Sequence, residues 1–213
     1  MSSEILHREG FVVYRNLVSV PAEVVPELQS LCDSRERELF NGSDVGMRGD
    51  GRRSQCWLIE SCVPTFADDL RRAVTQLSGF KQVGWKILRS RAGCAEQPAH
   101  MDCAPMPTIG DAQMPLEVLV AVMPKTRLHV WRRSIRLFTA CALVEPILKE
   151  TVELETGDAV LFRGDLVHAG AAYTRDHMRL HCHLDSLACP RGINQTYVVD
   201  RPHIDERIRT AIL

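Results

Sequence analysis

The chain has 213 residues, a formal net charge of −1 and a hydrophobic fraction of 45%. This is the composition of an ordinary globular protein and not of a disordered or fibrous one, and the near-zero charge provides no general attraction to nucleic acid or to acidic membranes. Glu4 and Glu9 lie where a secretion signal would be basic and then apolar. We therefore expect a cytoplasmic protein that binds neither membranes nor nucleic acid, with its eight cysteines reduced.

The N-terminal region, residues 1–80, begins with a predicted strand and a predicted helix. Residues 10–17 are rich in β-branched and aromatic side chains, which is typical of a strand. A helix is predicted over residues 21–40, with Ser19 as its N-cap and a proline in its first turn. We expect this region to pack outside the core of a single domain that spans residues 1–213.

Residues 41–55 are rich in glycine and arginine and predict a loop. The part from Gly42 to Arg53 has two interpretations. It forms a lid over the substrate, with Arg52 and Arg53 binding anionic groups, or it is a solvated loop without such a role. The first interpretation predicts an anionic or phosphorylated substrate.

A second helix is predicted over residues 64–78. Thr65 is its expected N-cap, and Asp68 and Asp69 are expected in its first turn, where carboxylates interact favourably with the helix dipole. Gly79 is expected to end the helix, because glycine readily adopts the left-handed conformation found after many helices.

Over residues 81–200 the sequence consists of short β-type runs separated by Pro, Gly and Asp, a pattern that is typical of a sandwich or jelly roll. A C-terminal tail, residues 201–213, is predicted to contain a short helix from about Asp205. The strands are predicted near residues 82–90, 115–123, 126–131, 136–143, 150–154, 158–163, 166–169, 178–185 and 194–199.

An H-x-D motif is the strongest chemical signal in the core. Residues i and i+2 of a strand project to the same side, so H-x-D can supply two ligands to one metal ion. Non-haem Fe(II) sites hold the metal with two histidines and one carboxylate on one face. The chain contains three copies of the motif, at His100–Asp102, His183–Asp185 and His203–Asp205, so the motif alone does not identify a site.

The residues downstream of each copy distinguish the three motifs. His168 lies 66 residues after Asp102, which is room for about four strands of ~5–6 residues and their turns. Arg179 comes 11 residues later and can bind both oxygens of a carboxylate in an apolar interior. The His183–Asp185 copy is followed by His203 only 18 residues later, with no strand predicted beyond it, and no histidine follows the His203–Asp205 copy. The order of H-x-D, a spacer long enough for several strands, His and Arg therefore occurs once.

The stretch from Lys86 to Asp185 resembles the phytanoyl-CoA hydroxylase and prolyl hydroxylase-like branch of the Fe(II)/2-oxoglutarate-dependent oxygenases. The likeness lies in ILRSRAGCAEQPAHMD, which ends on H-x-D, and in TGDAVLFRGDLVHAG with the later MRLHCHLD. The N-terminal GFVVYRNL also resembles the opening strand of that branch. The resemblance implies a mainly β fold, a double-stranded β-helix or cupin-like jelly roll with N-terminal helices packed outside it.

The resemblance also implies roles for individual residues. His100, Asp102 and His168 would bind Fe(II), and Arg179 would pair with the distal carboxylate of 2-oxoglutarate. The expected reaction uses O2, converts 2-oxoglutarate into succinate and CO2, and hydroxylates or oxidatively demethylates a small molecule or an exposed side chain. Gln97, three residues before the first ligand, is a candidate substrate contact, and a plain turn residue is the alternative.

Several neighbouring residues leave alternatives open. Arg175 is a second candidate for the co-substrate carboxylate. His181 and His183 share a strand face with Arg179; we expect hydrogen-bonded core residues, with supporting groups or rival metal ligands as the alternative. His177 and His181 form an H-x-x-x-H pair that suits zinc on a helix, but the sequence there is strand-like and lacks the glutamate of zinc hydrolases.

Two other functions compete with the oxygenase interpretation. The first is a cupin-like metalloprotein that uses the same fold and metal without 2-oxoglutarate. The second is a non-catalytic domain that binds a metal or a ligand. The residue pattern determines neither the primary substrate nor the oligomeric state.

Overall fold

A computed structural model describes residues 2–39, 51–79, 81–103, 114–135, 148–185 and 196–199. Within these residues the chain forms two antiparallel sheets, with α-helices on the outside of the larger one. The helices are α1 (Ser2–Glu9), α2 (Val24–Arg35) and α3 (Pro64–Ser78), with a short 3-10 helix at Glu60–Cys62. The strands are β1 (Phe11–Tyr14), β2 (Arg37–Glu38), β3 (Arg53–Trp57), β4 (Lys81–Ser90), β5 (His100–Met101), β6 (Leu116–Ala121), β7 (Thr126–Arg132), β8 (Leu148–Leu154), β9 (Ala159–Arg163), β10 (His168–Gly170), β11 (His177–Asp185) and β12 (Tyr197–Val198).

The strand order is that of a wound jelly roll. The larger sheet runs β1-β9-β6-β11-β4-β3-β2 and the smaller one β12-β5-β10-β7-β8. Most neighbours in each sheet are distant in sequence: β11 lies between β4 and β6, and β10 lies between β5 and β7. The predicted mainly β jelly roll is therefore confirmed. Its winding brings the two halves of the candidate metal motif onto adjacent strands.

The larger sheet is covered on both faces, which explains why all six residues of β6 are buried. Val118 and Val120 face outward and join a core with Leu28 of α2 and Leu70 of α3. Leu119 and Ala121 face inward and join a second core between the two sheets, together with Phe11, Leu128, Val130, Ile135, Val152, Leu154, Val160, Phe162 and Leu166. A strand buried on both faces loses the apolar–polar alternation of a half-exposed one.

The N-terminal elements are shorter than the sequence predicts. Within residues 10–17 only β1 is a strand, and it pairs with β9. Within residues 21–40, α2 begins after Glu23, and Ser19 is not its N-cap as predicted. Pro21 accounts for the shift, since its carbonyl accepts the amide of Val24 in a turn before the helix. Helix α1 was not predicted.

Helix α3 matches the predicted range, but its start differs in detail. Pro64 takes the first helical position, so Val63 is the N-cap and the predicted role of Thr65 is wrong. Asp68 and Asp69 consequently lie beyond the first turn, where each pairs with an arginine three residues later. The predicted end at Gly79 is confirmed, since this residue is left-handed and its amide binds the carbonyl of Thr75.

The predicted loop over residues 41–55 is wrong for its last part. Arg53–Trp57 form β3, which pairs along its length with β4. Residues 40–50 lie outside the described part, so the lid interpretation stays a prediction. The predicted strand near 136–143 and the predicted C-terminal helix and tail, residues 201–213, lie outside it as well.

No helix in the described segments is long and apolar enough to cross a membrane. The six cysteines in these segments are reduced thiols, five of them buried. Cys32 and Cys56 lie under the outer core with their sulfur atoms 3.7 Å apart.

Two glycines give a matched test of the fold. Gly79 and Gly157 both have positive φ, at 66° and 88°. A Cβ at Gly79 would enter open space, whereas one at Gly157 would collide with the carbonyl oxygen of Val18. We expect Gly79→Ala to lower the free energy of unfolding by about 1–2 kcal/mol and Gly157→Ala by about 2–5 kcal/mol. Urea denaturation measures both, and equal losses would contradict the packing at Val18.

Candidate metal centre

The strand pair β5–β10 positions the two histidines of the candidate centre. His168 is directly opposite His100 in the antiparallel register, so their side chains project to the same side. Asp102 comes two residues after His100, and its amide donates to the carbonyl of Gly164. The winding of the chain therefore brings together the three residues that the order of motifs predicts.

The donor atoms of the three residues converge. His100 Nε2 lies 3.8 Å from Asp102 Oδ1, and His168 Nε2 lies 3.8 Å from Asp102 Oδ2. The two imidazole rings have centroids 4.4 Å apart. All three donor atoms lie within 4.8 Å of one another. The arrangement can hold one metal ion with two nitrogens and a carboxylate.

Backbone carbonyls orient both imidazoles. His100 Nδ1 lies 2.7 Å from the carbonyl of Pro98, and His168 Nδ1 lies 3.0 Å from the carbonyl of Leu166. A carbonyl only accepts, so each Nδ1 carries the proton and each Nε2 keeps a lone pair. Such partners of the second ring nitrogen are what holds metal-binding histidines in place.

Burial keeps both imidazoles neutral. Together with the neighbouring His168, it lowers the pKa of His100 to about 3. Burial likewise lowers the pKa of His168 below its usual value. Both residues are 3–5% exposed. Since a metal ion binds the deprotonated imidazole, neither histidine has to lose a proton before it binds at neutral pH.

Arg179 is a buried cation on the inner face of β11. It is 2% exposed, and its Nη1 donates to Ser90 Oγ at 3.0 Å. Its Nε has no hydrogen-bond partner, and no carboxylate of the described residues pairs with it. Burial lowers the pKa of Arg179 to about 10, so it is still charged at neutral pH. A Cβ added to Gly170, two residues after His168, would lie 3.1 Å from Arg179 Nη2, so the guanidinium lies near the triad.

Of the three candidate substrate residues, Arg53 and Gln97 lie close to this arginine, and Arg52 lies on the surface. Arg53 is buried at 4% exposure in β3, where it donates to Ser90 Oγ and to the carbonyls of Ala95 and Ala171. Arg52 is exposed and donates to the carbonyl of Ala92.

Gln97 is held next to the end of β10. Its Oε1 accepts a hydrogen bond from the backbone N–H of Gly170 at 2.7 Å, and its backbone N–H donates to the carbonyl of Gly170. The side chain therefore orders the segment that leads to His100. Arg175, the alternative co-substrate residue, is exposed.

Glu117 is a member of the interior that the sequence did not predict. This residue is 1% exposed on β6, directly opposite His183 on β11. His181 Nε2 lies 2.9 Å from Glu117 Oε2, which fits the predicted hydrogen-bonded histidine. His183 is partly exposed, and its Nδ1 lies 3.4 Å from Glu117 Oε1 without forming a hydrogen bond. A lone acidic residue inside an otherwise apolar strand, MPLEVLVAVM, was the signal that could have identified it.

The structure separates the H-x-x-x-H pair. His177 stacks on Tyr173 with centroids 4.2 Å apart and bonds Thr126 Oγ1 at 2.8 Å. His181 pairs with Glu117 instead. Because both histidines lie on an extended strand, four residues place them about 13 Å apart. The candidate metal clusters of the described residues do not include His177.

Solved structures of 2-oxoglutarate-dependent enzymes share this architecture. SnoN, a non-haem α-ketoglutarate-dependent epimerase from nogalamycin biosynthesis, has a TM-score of 0.61 at 16% identity, covering 86% of this chain and 81% of that chain. A prolyl-4-hydroxylase of Pseudomonas putida has a TM-score of 0.56 at 14% identity, covering 87% and 99%. HygX of Streptomyces hygroscopicus, solved with nickel and 2-oxoglutarate, has a TM-score of 0.55 at 14% identity, covering 86% and 85%. The chain has the fold of these enzymes.

The likeness shows that the chain has the predicted fold. No protein-family model matches the chain, and no curated protein sequence matches it. The structural neighbours include an epimerase, a carbocyclase and a hydroxylase. One fold therefore supports several reactions, and the reaction has to be argued from the side chains.

Arg52 and Arg53 give a matched test of the buried hydrogen bonds near Arg179. We expect Arg53→Met to lower the free energy of unfolding by about 2–4 kcal/mol, because it leaves buried carbonyls without a donor. Arg52→Met should have a much smaller effect, since this side chain is exposed. Urea denaturation of both variants measures the difference. A stable Arg53→Met variant would contradict the hydrogen bonds assigned to Arg53.

Proposed function

We propose that the chain is an Fe(II)- and 2-oxoglutarate-dependent oxygenase that hydroxylates or oxidatively demethylates a small molecule or an exposed side chain. The observation that carries the proposal is that a candidate metal site and a buried arginine lie together in the space between the two sheets. Two neutral histidines and a carboxylate converge at one point, and a buried arginine without a carboxylate partner among the described residues lies nearby.

The donor set fits a non-haem Fe(II) site. His100, Asp102 and His168 supply two imidazole nitrogens and one carboxylate, the ligand set of Fe(II) oxygenases that leaves coordination positions open. Zinc hydrolysis fits less well, because no H-E-x-x-H helix supplies a general base. The pairing of β5 with β10 and the Nδ1 hydrogen bonds hold the two histidines in place before a metal binds, and the backbone hydrogen bond to Gly164 fixes Asp102.

Arg179 fits the distal carboxylate of 2-oxoglutarate. A buried guanidinium without a carboxylate is unfavourable, and a dicarboxylate co-substrate would supply the missing partner. Ser90 Oγ accepts a hydrogen bond from Nη1 of this guanidinium, whereas Nε has no hydrogen-bond partner. The positive charge of Arg53, also bonded to Ser90, further favours an anion at this end of the interior.

The remaining residues orient the reactants and exclude water. When bound, Fe(II) and 2-oxoglutarate supply the activation of O2, coupled to conversion of 2-oxoglutarate into succinate and CO2. Phe162 contacts the edge of His168, with ring centroids 4.9 Å apart. The apolar core between the sheets lies behind it. A dry surrounding strengthens the interaction of Arg179 with a carboxylate.

A small-molecule substrate is favoured over a macromolecule. Two neighbours were solved with small molecules, SnoN with nogalamycin RO and HygX with hygromycin B. The described residues contain the co-substrate end of the interior and the metal ligands. Which chemical group is oxidised depends on the substrate that the rest of the cavity accepts.

Removal of His168 tests the metal centre. Anaerobic addition of Fe(II) and 2-oxoglutarate to the metal-free protein should produce a visible metal-to-ligand charge-transfer band. We expect His168→Ala to abolish this band and to weaken Fe(II) binding by more than about 100-fold, since loss of a direct ligand exceeds the loss of a supporting residue.

His129→Ala is the matched control for this variant. His129 lies opposite Ala169 on the neighbouring strand β7, and its ring bonds Thr151. It should keep the band. In the wild-type protein, metal binding without a band would favour the metalloprotein that does not use 2-oxoglutarate. Absence of metal binding in the wild-type protein would favour the non-catalytic domain.

Removal of Arg179 tests the co-substrate. We expect Arg179→Met to weaken 2-oxoglutarate binding by about 30- to 1000-fold, equivalent to about 2–4 kcal/mol. Isothermal titration calorimetry of the metal-loaded protein measures the affinity. Arg175→Met is the control, and it should leave the affinity unchanged.

A truncated co-substrate makes this test specific. 2-Oxopentanoate has the same five-carbon chain with a methyl group in place of the distal carboxylate. Its affinity should be equal in wild type and Arg179→Met, because the carboxylate that pairs with the arginine is missing. A weaker affinity for both ligands in the variant would mean that Arg179 has only a structural role. Loss with Arg175→Met instead would identify Arg175 as the co-substrate residue.

A further inference from the structure

A second group of metal-binding side chains lies beside the first. Glu117 of β6 and His183 of β11 are direct cross-strand neighbours, and His181 lies on the same face two residues before His183. All three point into the space between the two sheets, where Leu119 of β6 faces as well. The proposed iron centre uses none of them.

Asp102 connects this group with the iron centre. One metal-binding atom from each of Asp102, Glu117, His181 and His183 lies within 4.8 Å of the others. Ligands of one ion at the usual distance of about 2.0–2.2 Å are separated by up to about 4.4 Å. The four donor atoms therefore lie close to the separations that one bound ion requires.

Glu117 provides an independent indication of a missing ligand. It is 1% exposed, yet its Oε1 has no hydrogen-bond partner. His183 Nδ1 lies 3.4 Å away and also lacks one. A buried polar atom without a partner costs about 1–3 kcal/mol. A cation between these atoms would satisfy both at once.

The charges of the group also favour a cation. The ion-pair partners of Glu117 among the described residues are the imidazoles of His181 and His183. Asp102 adds a second carboxylate, which pairs with the imidazoles of His100 and His168. Asp102 and His183 keep 16% and 18% of their side chains exposed, so an ion can reach the group from solvent.

We propose that Glu117, His181, His183 and Asp102 form a second site for a divalent first-row transition metal ion, with Asp102 shared between the two ions. Two imidazoles and two carboxylates are a donor set for Zn²⁺, Fe²⁺ or Mn²⁺. The sharing of Asp102 depends on the proposed iron centre. The other three ligands do not.

Counting bound ions tests the second site. Metal-free protein is titrated with Co²⁺, and bound cobalt is measured by elemental analysis after gel filtration. We expect two ions per chain in wild type and one in Glu117→Gln, which keeps the shape of the side chain and removes its charge. His183→Ala, at a partly exposed position, should also bind one ion and serves if Glu117→Gln does not fold. His129→Ala should bind two.

His168→Ala separates this inference from the proposed function. This variant should lose the ion of the iron centre and keep the cobalt ion held by Glu117 and His183. One ion in wild type that His168→Ala removes and Glu117→Gln retains would overturn the second site and leave the iron centre intact. Absence of cobalt from every variant and from wild type would overturn both.

The shared carboxylate has its own signature. With two equivalents of Mn²⁺, ions bridged by Asp102 should be magnetically coupled, so that the six-line electron paramagnetic resonance signal of isolated Mn²⁺ is lost. Glu117→Gln should restore the six-line signal at one bound ion. An uncoupled signal from two bound ions would contradict the sharing of Asp102.

Discussion

The cross-strand pairing of His100 with His168 is the constraint on which the candidate site depends. These residues are 68 positions apart in sequence but directly opposite in the ladder of β5 and β10. A shift of one residue in this register would turn one imidazole to the other side of the sheet. The hydrogen bonds from Nδ1 to backbone carbonyls and the burial of both rings then keep the lone pairs at Nε2 available.

Strand β11 carries a row of basic side chains that faces the space between the two sheets. Its inward residues alternate as His177, Arg179, His181 and His183, so a cation and three imidazoles lie on one face. Ser90 holds the guanidinium of Arg179 at one end, and Glu117 pairs with the two last histidines at the other. The interior thus has a positive end suited to a dicarboxylate and a negative end suited to metal ions. His168 of the proposed iron centre lies between them, and both Arg179 and Glu117 affect its pKa.

Local signals predicted much of the fold but not its details. The periodic helix over residues 64–78 and the glycine after it were found because both signals are contained in the segment itself. Arg53 was assigned to a loop because its neighbours are glycines and arginines, yet it lies in β3 through pairing with β4. Pairing with a strand about 30 residues away leaves little trace in local composition. The helix N-caps were misplaced for a local reason, the turn at Pro21 and the start of the helix at Pro64.

The sequence by itself determined the order of H-x-D, histidine and arginine, and with it the candidate ligands and the jelly-roll fold. Only the tertiary structure decided which other residues join them. Glu117 reads as one acid in an apolar strand, and His183 reads as a core histidine, until the β6–β11 register places them face to face. That register depends on contacts between strands about 60 residues apart, which are set by the packing of both sheets and not by either segment alone.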